Sequence, residues 1–149
     1  MHLNFVTKYI YFFTKLYKMS ISIGKITYMS KELIGSGSEN TNVYNGRFGN
    51  RKVAVKKVQK SLVKLVDREI QLLEKSDRHE NVLNYYFTEE DSNFYYIALE
   101  LCKFNLIEYF ENKQLQNLTK KEILQQTLNG LIFLHELEIG VILKLILFI

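Results

Sequence analysis

A lysine and a glutamate follow a glycine pair at spacings that could hold a phosphate group. Gly35 and Gly37 flank a serine, Lys56 comes nineteen residues after Gly37, and Glu69 comes thirteen residues after Lys56. A phosphate clamp needs a backbone that can lie close to the ligand, a lysine that reaches the phosphates, and a carboxylate that holds the lysine in place. Because these residue types occur here in that order, the set predicts a site for a phosphate-bearing ligand.

Each of these residues also has an ordinary explanation when it stands alone. A Gly-Ser-Gly turn between two strands usually needs only residues that tolerate positive φ or the close approach of another backbone. Lys56 could be an exposed strand lysine, and Glu69 could be a solvated residue on a helix. The prediction therefore depends on the set and not on any single member.

Three predicted strands position the glycines and the lysine. KELIG ends at the glycine pair, TNVYNGRF is a β-branched and aromatic run that glycines close, and RKVAVKKV supplies a third run. Alternate side chains of a strand point to opposite faces. The third run therefore divides into Val53, Val55 and Lys57 on one face and Ala54, Lys56 and Val58 on the other. Three strands joined by short loops predict an antiparallel meander.

The following segments predict a helix, two more strands and two further helices. Ser61 is a plausible N-cap for a helix with apolar residues at three- and four-residue spacing through Leu73. NVLNYYFT and NFYYIALEL have strand composition and are separated by the polar EEDS. NLIEYFEN favours a short helix, and Thr119 with Glu122 forms a capping box that opens a longer helix to His135. The order predicts an α+β fold.

Composition excludes several classes of protein and site. The chain has 149 residues, 47% of them hydrophobic, and a formal net charge of +4 without a clustered basic surface. That charge weakly favours a phosphate-bearing ligand and gives no reason to expect nucleic-acid binding. With one cysteine, Cys102, an internal disulfide is impossible, and no Cys/His spacing fits a zinc site. We expect no metal site and a cytoplasmic location.

The first residues are expected to form a leader outside the fold. In MHLNFVTKYIYFFTKLYKM, lysines interrupt the apolar residues, so no stretch approaches the roughly 20 residues of a membrane span. No cleavage site of a signal peptide is present. Residues 1–20 are therefore interpreted as a disordered or mis-called leader, with an amphipathic helix on a membrane surface as the alternative.

Three stretches of the chain resemble a known kinase family. GSGSENTNVYNGRFGNRKVAVKKV, DREIQLLEKSDRHENVLNYYFTEEDSNFYYIALELC and LQQTLNGLIFLHEL are similar to the kinase domain of the inositol-requiring serine/threonine kinase/endoribonucleases that sense unfolded proteins. The resemblance implies a small lobe with a five-stranded antiparallel sheet and one helix over residues 21–102. Residues 103–138 would then begin the large lobe with two helices, and residues 139–149 would be a divergent apolar tail.

The resemblance also implies roles for individual residues toward ATP. Lys56 would contact the phosphates and pair with Glu69. Leu99 would guard the back of the pocket, and the backbone of Glu100 and Cys102 would bind the adenine edge. The remaining expected contacts, from the glycine loop to the adenine ring, are Ile34, Gly35, Gly37, Val43 and Ala54. For Leu99 and Cys102, simple burial at the end of a strand is the alternative.

Two departures from the family pattern lie in the glycine loop, and a larger one follows the last predicted helix. Asn40 stands where the family has a third glycine, and Asn42 replaces a usually apolar residue. After LHELEIG the chain reads GVILKLILFI, where relatives continue to His-Arg-Asp and the Asp-Phe-Gly that holds magnesium. We therefore expect ATP binding without phosphoryl transfer by these residues. We expect a truncated or frameshifted gene product, with a genuine short pseudokinase as the alternative.

Two alternatives remain at this stage. The chain could be a non-catalytic, kinase-like interaction module that docks on a protein partner through the helix bearing Glu69 or through the apolar tail. It could also form no stable protein. The resemblance further implies that complete relatives are endoplasmic-reticulum membrane proteins with a cytosolic kinase domain, which agrees with the expected cytoplasmic location.

Overall fold

A computed structural model describes residues 20–37, 41–62, 70–71, 74–75, 79–112 and 118–137. Six strands are formed: β1 (Ser20–Ile23), β2 (Ile26–Ser36), β3 (Asn42–Phe48), β4 (Arg51–Gln59), β5 (Tyr85–Glu90) and β6 (Phe94–Leu99). A 3-10 turn at Lys60–Leu62 follows β4, and two helices follow β6: α1 (Leu106–Glu111) and α2 (Lys120–Glu136). The expected α+β fold is confirmed.

The strands form a six-stranded sheet in the order β1-β2-β3-β4-β6-β5, one strand more than the predicted five. The additional strand is β1, which pairs antiparallel with β2 from Ser20 opposite Met29 to Ile23 opposite Ile26. A two-residue turn joins the two strands, and Gly24 adopts φ 53° there. Such tight hairpin turns require positive φ. The Ser-Ile-Ser-Ile run followed by Gly-Lys was the signal that could have predicted this hairpin.

The sheet curls until its two ends meet. The backbone N–H of Lys25, in the first turn, donates to Oε1 of Glu89 on the last strand at 2.9 Å. The rings of Phe48 and Phe87 stack with centroids 5.2 Å apart. Curling encloses an apolar core in which the completely buried members are Ile26, Val53, Val55, Ile97 and Ala98.

The chain divides into two compact units, one comprising Met1–Ser61 and Phe87–Ala98 and the other Leu62–Tyr86 and Leu99–Ile149. In the second unit, α2 lies against the loop that precedes β5, where the rings of His79 and Phe133 stack at 4.7 Å. Tyr109 of α1 is buried. Its hydroxyl accepts a hydrogen bond from the N–H of Leu118 at 2.7 Å, and this contact ties α1 to the residues before α2.

Both helices that follow β6 begin with a capping box. At α2 the N–H of Glu122 donates to Oγ1 of Thr119 at 3.2 Å, and the N–H of Thr119 donates to Oε2 of Glu122 at 2.7 Å. The predicted cap is confirmed. Asn105 and Glu108 make the same reciprocal pair at α1. Of the helix predicted after Ser61, only residues 70–71 and 74–75 are described, and they are helical.

A carboxylate organises the turn between β5 and β6. Oδ1 of Asp91 accepts the N–H groups of Asn93 and Phe94, each at 2.8 Å, and Oδ2 accepts the Tyr96 hydroxyl at 2.7 Å. The Tyr96 hydrogen bond and then the Asn93 backbone hydrogen bond lower the pKa of Asp91. The ammonium of Lys57 lies 3.9 Å from the centroid of the Phe94 ring, so β4 is attached to the same turn.

The lowered pKa of Asp91 predicts an acid-sensitive contribution to stability. The contribution is present above the unfolded pKa of about 3.9 and is lost as pH falls through the lower folded pKa. Urea midpoints measured from pH 7 to pH 2.5 should therefore show a steeper acid loss in the parent than in Tyr96→Phe, which removes the main cause. Parallel pH curves for the two proteins would contradict this assignment.

Gly46 is predicted to tolerate no side chain. A Cβ at this position of β3 would lie 2.5 Å from the Thr27 carbonyl oxygen and 2.5 Å from Cγ2 of Val55. Gly46→Ala should therefore destabilise the protein by about 2 kcal/mol, a typical cost of overpacking a core. Urea denaturation measures the change, with Gly37→Ala as the control because its Cβ meets only ordinary contacts. Equal stability of the two variants would show that the strands can separate at no cost.

Candidate functional site

Four of the predicted ligand-binding residues come together in the first unit. Gly35 on β2 pairs with Val43 on β3, and Val43 pairs with Lys56 on β4. Directly opposed residues of antiparallel strands carry their side chains on the same face, as do residues two apart in one strand. Val43, Lys56 and Ala54 therefore share a face of the sheet, with Gly35 in the same row.

Burial of the opposite face of β4 determines where Lys56 lies. Val53 and Val55 are completely buried. The neighbouring Lys57, on the same face as these valines, lies over the Phe94 ring. Because side chains alternate along a strand, Lys56 must then project from the other face, where it is half-buried. Ala54 and Val58, on the same face as Lys56, are buried as well, so both faces of β4 contribute to packing.

Gly35, in this row, and Gly37, beyond the end of β2, are not required by the packing of the described residues. An added Cβ would lie 3.8 Å from Cβ of Val43 at Gly35 and 3.5 Å from Cβ of Thr41 at Gly37, which are ordinary contacts. Neither glycine has positive φ. Since glycine in a strand costs roughly 0.5–1 kcal/mol relative to alanine, its presence at Gly35 favours the approach of a ligand to the backbone.

The turn between β2 and β3 is closed by a backbone hydrogen bond from Gly37 N–H to the Thr41 carbonyl at 2.7 Å. Residues 38–40, including the departure at Asn40, lie outside the described residues. Asn42, the second departure, pairs with Lys57 and so belongs to the face opposite Val43. It therefore does not replace a member of the Val43–Lys56 face.

Ile34 lies at an irregularity of β2. The register passes from Leu33 opposite Tyr44 to Gly35 opposite Val43, so Ile34 is the extra residue of a bulge. Its side chain is 47% exposed. An exposed large apolar residue beside Gly35 is a candidate contact for an apolar ring.

The predicted adenine-binding segment lies in the second unit. Leu99 ends β6 and is buried, whereas Glu100 and Cys102 are half-buried. Burial, with a smaller contribution from the Glu100 charge, raises the pKa of the Cys102 thiol to about 11. Cys102 is therefore a neutral thiol at physiological pH.

Asn84, just before β5, was not predicted as a site residue, but it holds Glu100. Its side-chain Nδ2 donates to Oε2 of Glu100 at 2.7 Å, and its carbonyl accepts the Glu100 N–H at 2.9 Å. Nothing in the local sequence indicates this contact, because the partners are sixteen positions apart. Only the pairing of the predicted fourth and fifth strands could have indicated it.

Three further predictions concern the ion pair of Lys56 with Glu69, a metal site and a membrane span. Glu69 lies outside the described residues, so its ion pair with Lys56 stays a prediction. Within the described residues, no three His, Cys, Asp or Glu side chains are grouped as metal ligands would be. In the same part of the chain, no helix combines the length and apolar character needed to cross a membrane.

Residues 28–142 match the family model of the protein kinase domain. The human serine/threonine-protein kinase/endoribonuclease IRE2 is 47% identical over 119 residues, covering 78% of this chain and 13% of the relative. The Caenorhabditis elegans serine/threonine-protein kinase/endoribonuclease ire-1 is 42% identical over 118 residues, covering 77% of this chain and 12% of the relative. The Schizosaccharomyces pombe "Sensor for unfolded proteins in the ER" ire1 is 36% identical over 125 residues, covering 80% of this chain and 12% of the relative. The chain thus spans about an eighth of the length of these relatives.

The raised pKa of Cys102 predicts a slow thiol in the folded protein. Only the thiolate is nucleophilic, so alkylation by iodoacetamide at pH 8 should be slower than for an unperturbed cysteine by about two orders of magnitude. The rate should rise with pH toward about 11. The control is the same chain in denaturing urea, where the reaction should be fast. Equal rates in the folded and unfolded chain would contradict the prediction.

Proposed function

The chain belongs to the protein kinase domain family, and from that premise we propose that its first unit binds the phosphates of ATP. The observation that carries the proposal is the row formed by Gly35, Val43 and Lys56 on three neighbouring strands. The glycine backbone allows close approach of a phosphate, and the Lys56 ammonium supplies a positive charge that neutralises it. The pairing of Gly35 with Val43 and of Val43 with Lys56 supports this assignment.

The adenosine part of ATP is assigned to apolar residues and to one backbone segment. Ala54 lies on the same face as Lys56, and Ile34 is exposed beside Gly35, so both are proposed to contact the adenine ring. Backbone groups of Glu100 and Cys102 are proposed to hydrogen-bond its edge. The resemblance assigns Leu99 to the back of the pocket, and this residue is buried. These assignments follow the resemblance to kinases residue by residue.

For the whole protein we propose transfer of the γ-phosphate of ATP to a serine or threonine hydroxyl, in unfolded-protein signalling at the endoplasmic reticulum. The names of the relatives, serine/threonine-protein kinase/endoribonuclease and sensor for unfolded proteins, support this class of activity. Residues 1–149 hold neither His-Arg-Asp nor Asp-Phe-Gly, so the activity proposed for these residues is nucleotide binding.

Magnesium accompanies ATP in kinases generally, and its ligands are not found among the described residues. No cluster of three acidic, histidine or cysteine side chains occurs in that part of the chain. The proposal therefore assigns phosphate contacts to Lys56 and the glycine backbone and derives no step through the metal. A cytoplasmic location remains a proposal. The absence of a nucleic-acid partner also remains a proposal, although the relatives' names contain the word endoribonuclease.

A non-catalytic interaction module is the second candidate, and one surface favours it. Leu124, Leu128 and Ile132 recur every fourth residue along α2 and are 60%, 44% and 56% exposed. Residues four apart lie on one side of a helix, so the three side chains form an apolar stripe. Stripes of this kind commonly mediate association. If nucleotide does not stabilise the folded chain, the non-catalytic interaction module becomes the better supported function.

Saturating ATP should stabilise the folded chain. A ligand at 100 times its Kd adds about 2.7 kcal/mol, which corresponds to a rise in Tm of about 5–10 °C for a chain of this size. Differential scanning fluorimetry should show the rise in the parent and in Lys52→Ala, which removes an exposed lysine of the same strand. In Lys56→Ala most of the rise should be lost. An unresponsive parent, or a Lys56→Ala variant that responds fully, would refute the proposed site.

A further inference from the structure

A row of hydroxyl and basic side chains crosses four strands of the first unit. Ser22 of β1 lies opposite Thr27 of β2. Arg47 of β3 lies opposite Thr27 on one side and opposite Lys52 of β4 on the other. Directly opposed residues carry their side chains on the same face of a sheet, with Cβ atoms about 4.5–5.5 Å apart. The four residues therefore form one line, which we call the hydroxyl–cation row.

The row is accessible, and its positive charges have no anionic partner in the chain. Ser22, Arg47 and Lys52 are exposed, and Thr27 is half-buried. Among the described residues, no carboxylate pairs with Arg47 or Lys52. Arg47 donates from Nη1 to the Asn50 carbonyl at 3.4 Å, which leaves its other N–H groups for a further acceptor.

The neighbouring strands do not balance these two charges. β3 and β4 contain no Asp or Glu. Lys57, by contrast, is engaged on the opposite face, where its ammonium lies 3.9 Å from the centroid of the Phe94 ring. Like charges directly opposite each other destabilise an antiparallel strand pair. An anion bound at Arg47 and Lys52 would remove this repulsion.

The donors of the row suit a phosphate group. A guanidinium can donate two parallel hydrogen bonds to phosphate oxygens, and an ammonium supplies a compact charge beside it. Oγ of Ser22 and Oγ1 of Thr27 lie 3.2 Å apart. Because only one of these hydroxyls donates to the other, the second keeps its hydrogen for another acceptor. The row thus offers two cations and a hydroxyl donor in one line.

Charge and spacing favour a phosphate monoester over a nucleic acid. A phosphorylated side chain carries a charge of about −1.5 to −2 at pH 7, which the two cations match. A nucleic-acid strand carries one charge per phosphodiester and binds along an extended basic groove. The next cation of β4 on this face, Lys56, is four residues from Lys52, which corresponds to about 13 Å. The row is therefore an isolated two-cation site.

We propose that the hydroxyl–cation row binds a phosphorylated serine or threonine within a protein segment. An open sheet face gives a free phosphate ion few contacts, whereas a peptide adds contacts on both sides of the phosphate. The row is distinct from the Gly35, Val43 and Lys56 row, so the inference goes beyond the proposed ATP site and does not require it. Phosphoserine and phosphothreonine are also the products of the transfer proposed for the whole protein, and only this connection rests on the proposed function.

The experiment measures binding of a phosphorylated peptide by fluorescence anisotropy. The probe is a fluorescein-labelled glycine–serine peptide with one phosphothreonine, and its unphosphorylated form is titrated alongside at low ionic strength. The parent chain should bind only the phosphorylated form. Arg47→Gln combined with Lys52→Gln should weaken this binding at least about tenfold, because charge-assisted contacts are lost.

A matched variant separates the row from the overall charge of the chain. Lys31→Gln combined with Lys121→Gln also removes two exposed positive charges, both outside the row, and should bind the phosphopeptide within about twofold of the parent. Arg47→Lys keeps the charge but loses the forked donor geometry, so it should weaken binding less than Arg47→Gln and more than the control.

A stability measurement tests the repulsion without any ligand. Lys52→Gln removes one of two opposed positive charges and should raise the urea midpoint at low salt, with a smaller rise at high salt. A lower midpoint in Lys52→Gln would show that the chain already neutralises the row, and the proposal would then fail.

Each binding outcome decides for or against the row. A parent that does not bind the phosphopeptide, or binds both peptides equally, overturns the proposal. Inorganic phosphate that binds as tightly as the phosphopeptide assigns the row to the free ion and overturns the peptide partner. Loss of binding in Lys56→Ala, with binding retained in the Arg47→Gln and Lys52→Gln double variant, places the peptide at the ATP site and also overturns it.

Nucleic acid is tested in the same format, and the result is independent of ATP. A fluorescein-labelled single-stranded RNA that binds more tightly than the phosphopeptide, and is lost in the Arg47→Gln and Lys52→Gln double variant, overturns the peptide partner. Selective loss of phosphopeptide binding in that variant supports the proposal. None of these measurements needs nucleotide, so a chain that ATP does not stabilise would refute the proposed function and leave this inference standing.

Discussion

Burial of Val53 and Val55 on one face of β4 is the constraint on which the candidate phosphate site depends. Both valines are completely buried in the curled sheet, so the strand cannot turn over without exposing them. Every second side chain is thereby directed to the other face, where Ala54 and Lys56 lie. The site on this strand is a consequence of core packing, and no separate loop has to hold the lysine.

The curl of the sheet extends this constraint to the glycine row. Contact of Glu89 with the first turn brings the last strand to the first, and the Asp91–Tyr96 hydrogen bond attaches the turn between β5 and β6 to the core. Strand pairing then sets Gly35, Val43 and Lys56 in one row. Contacts far from the row therefore maintain it, and destabilisation of the core would disturb the proposed phosphate contacts without changing any of their residues.

The features that could be predicted from sequence are those with a short period or a local signature. Alternation predicted both faces of β4, and the spacing of Thr119 and Glu122 predicted the cap of α2. The hairpin of β1 was missed because its turn, Gly24–Lys25, lies beside residues that were assigned to a leader. The contact of Asn84 with Glu100 was missed because the two residues are sixteen positions apart in the chain. The bulge at Ile34 was missed because it depends on the register between two strands. The Lys56–Glu69 pair remains a prediction.

The central claim is that one face of β4 and its neighbours bind nucleotide. The most direct test is an ATP titration of isotope-labelled protein followed by amide and methyl chemical shifts in NMR spectra. We expect the largest changes at Gly35, Val43, Ala54 and Lys56, with small changes at the buried Val53 and Val55 of the opposite face. Changes confined to the α2 stripe of Leu124, Leu128 and Ile132, or no changes at saturating ATP, would contradict the account.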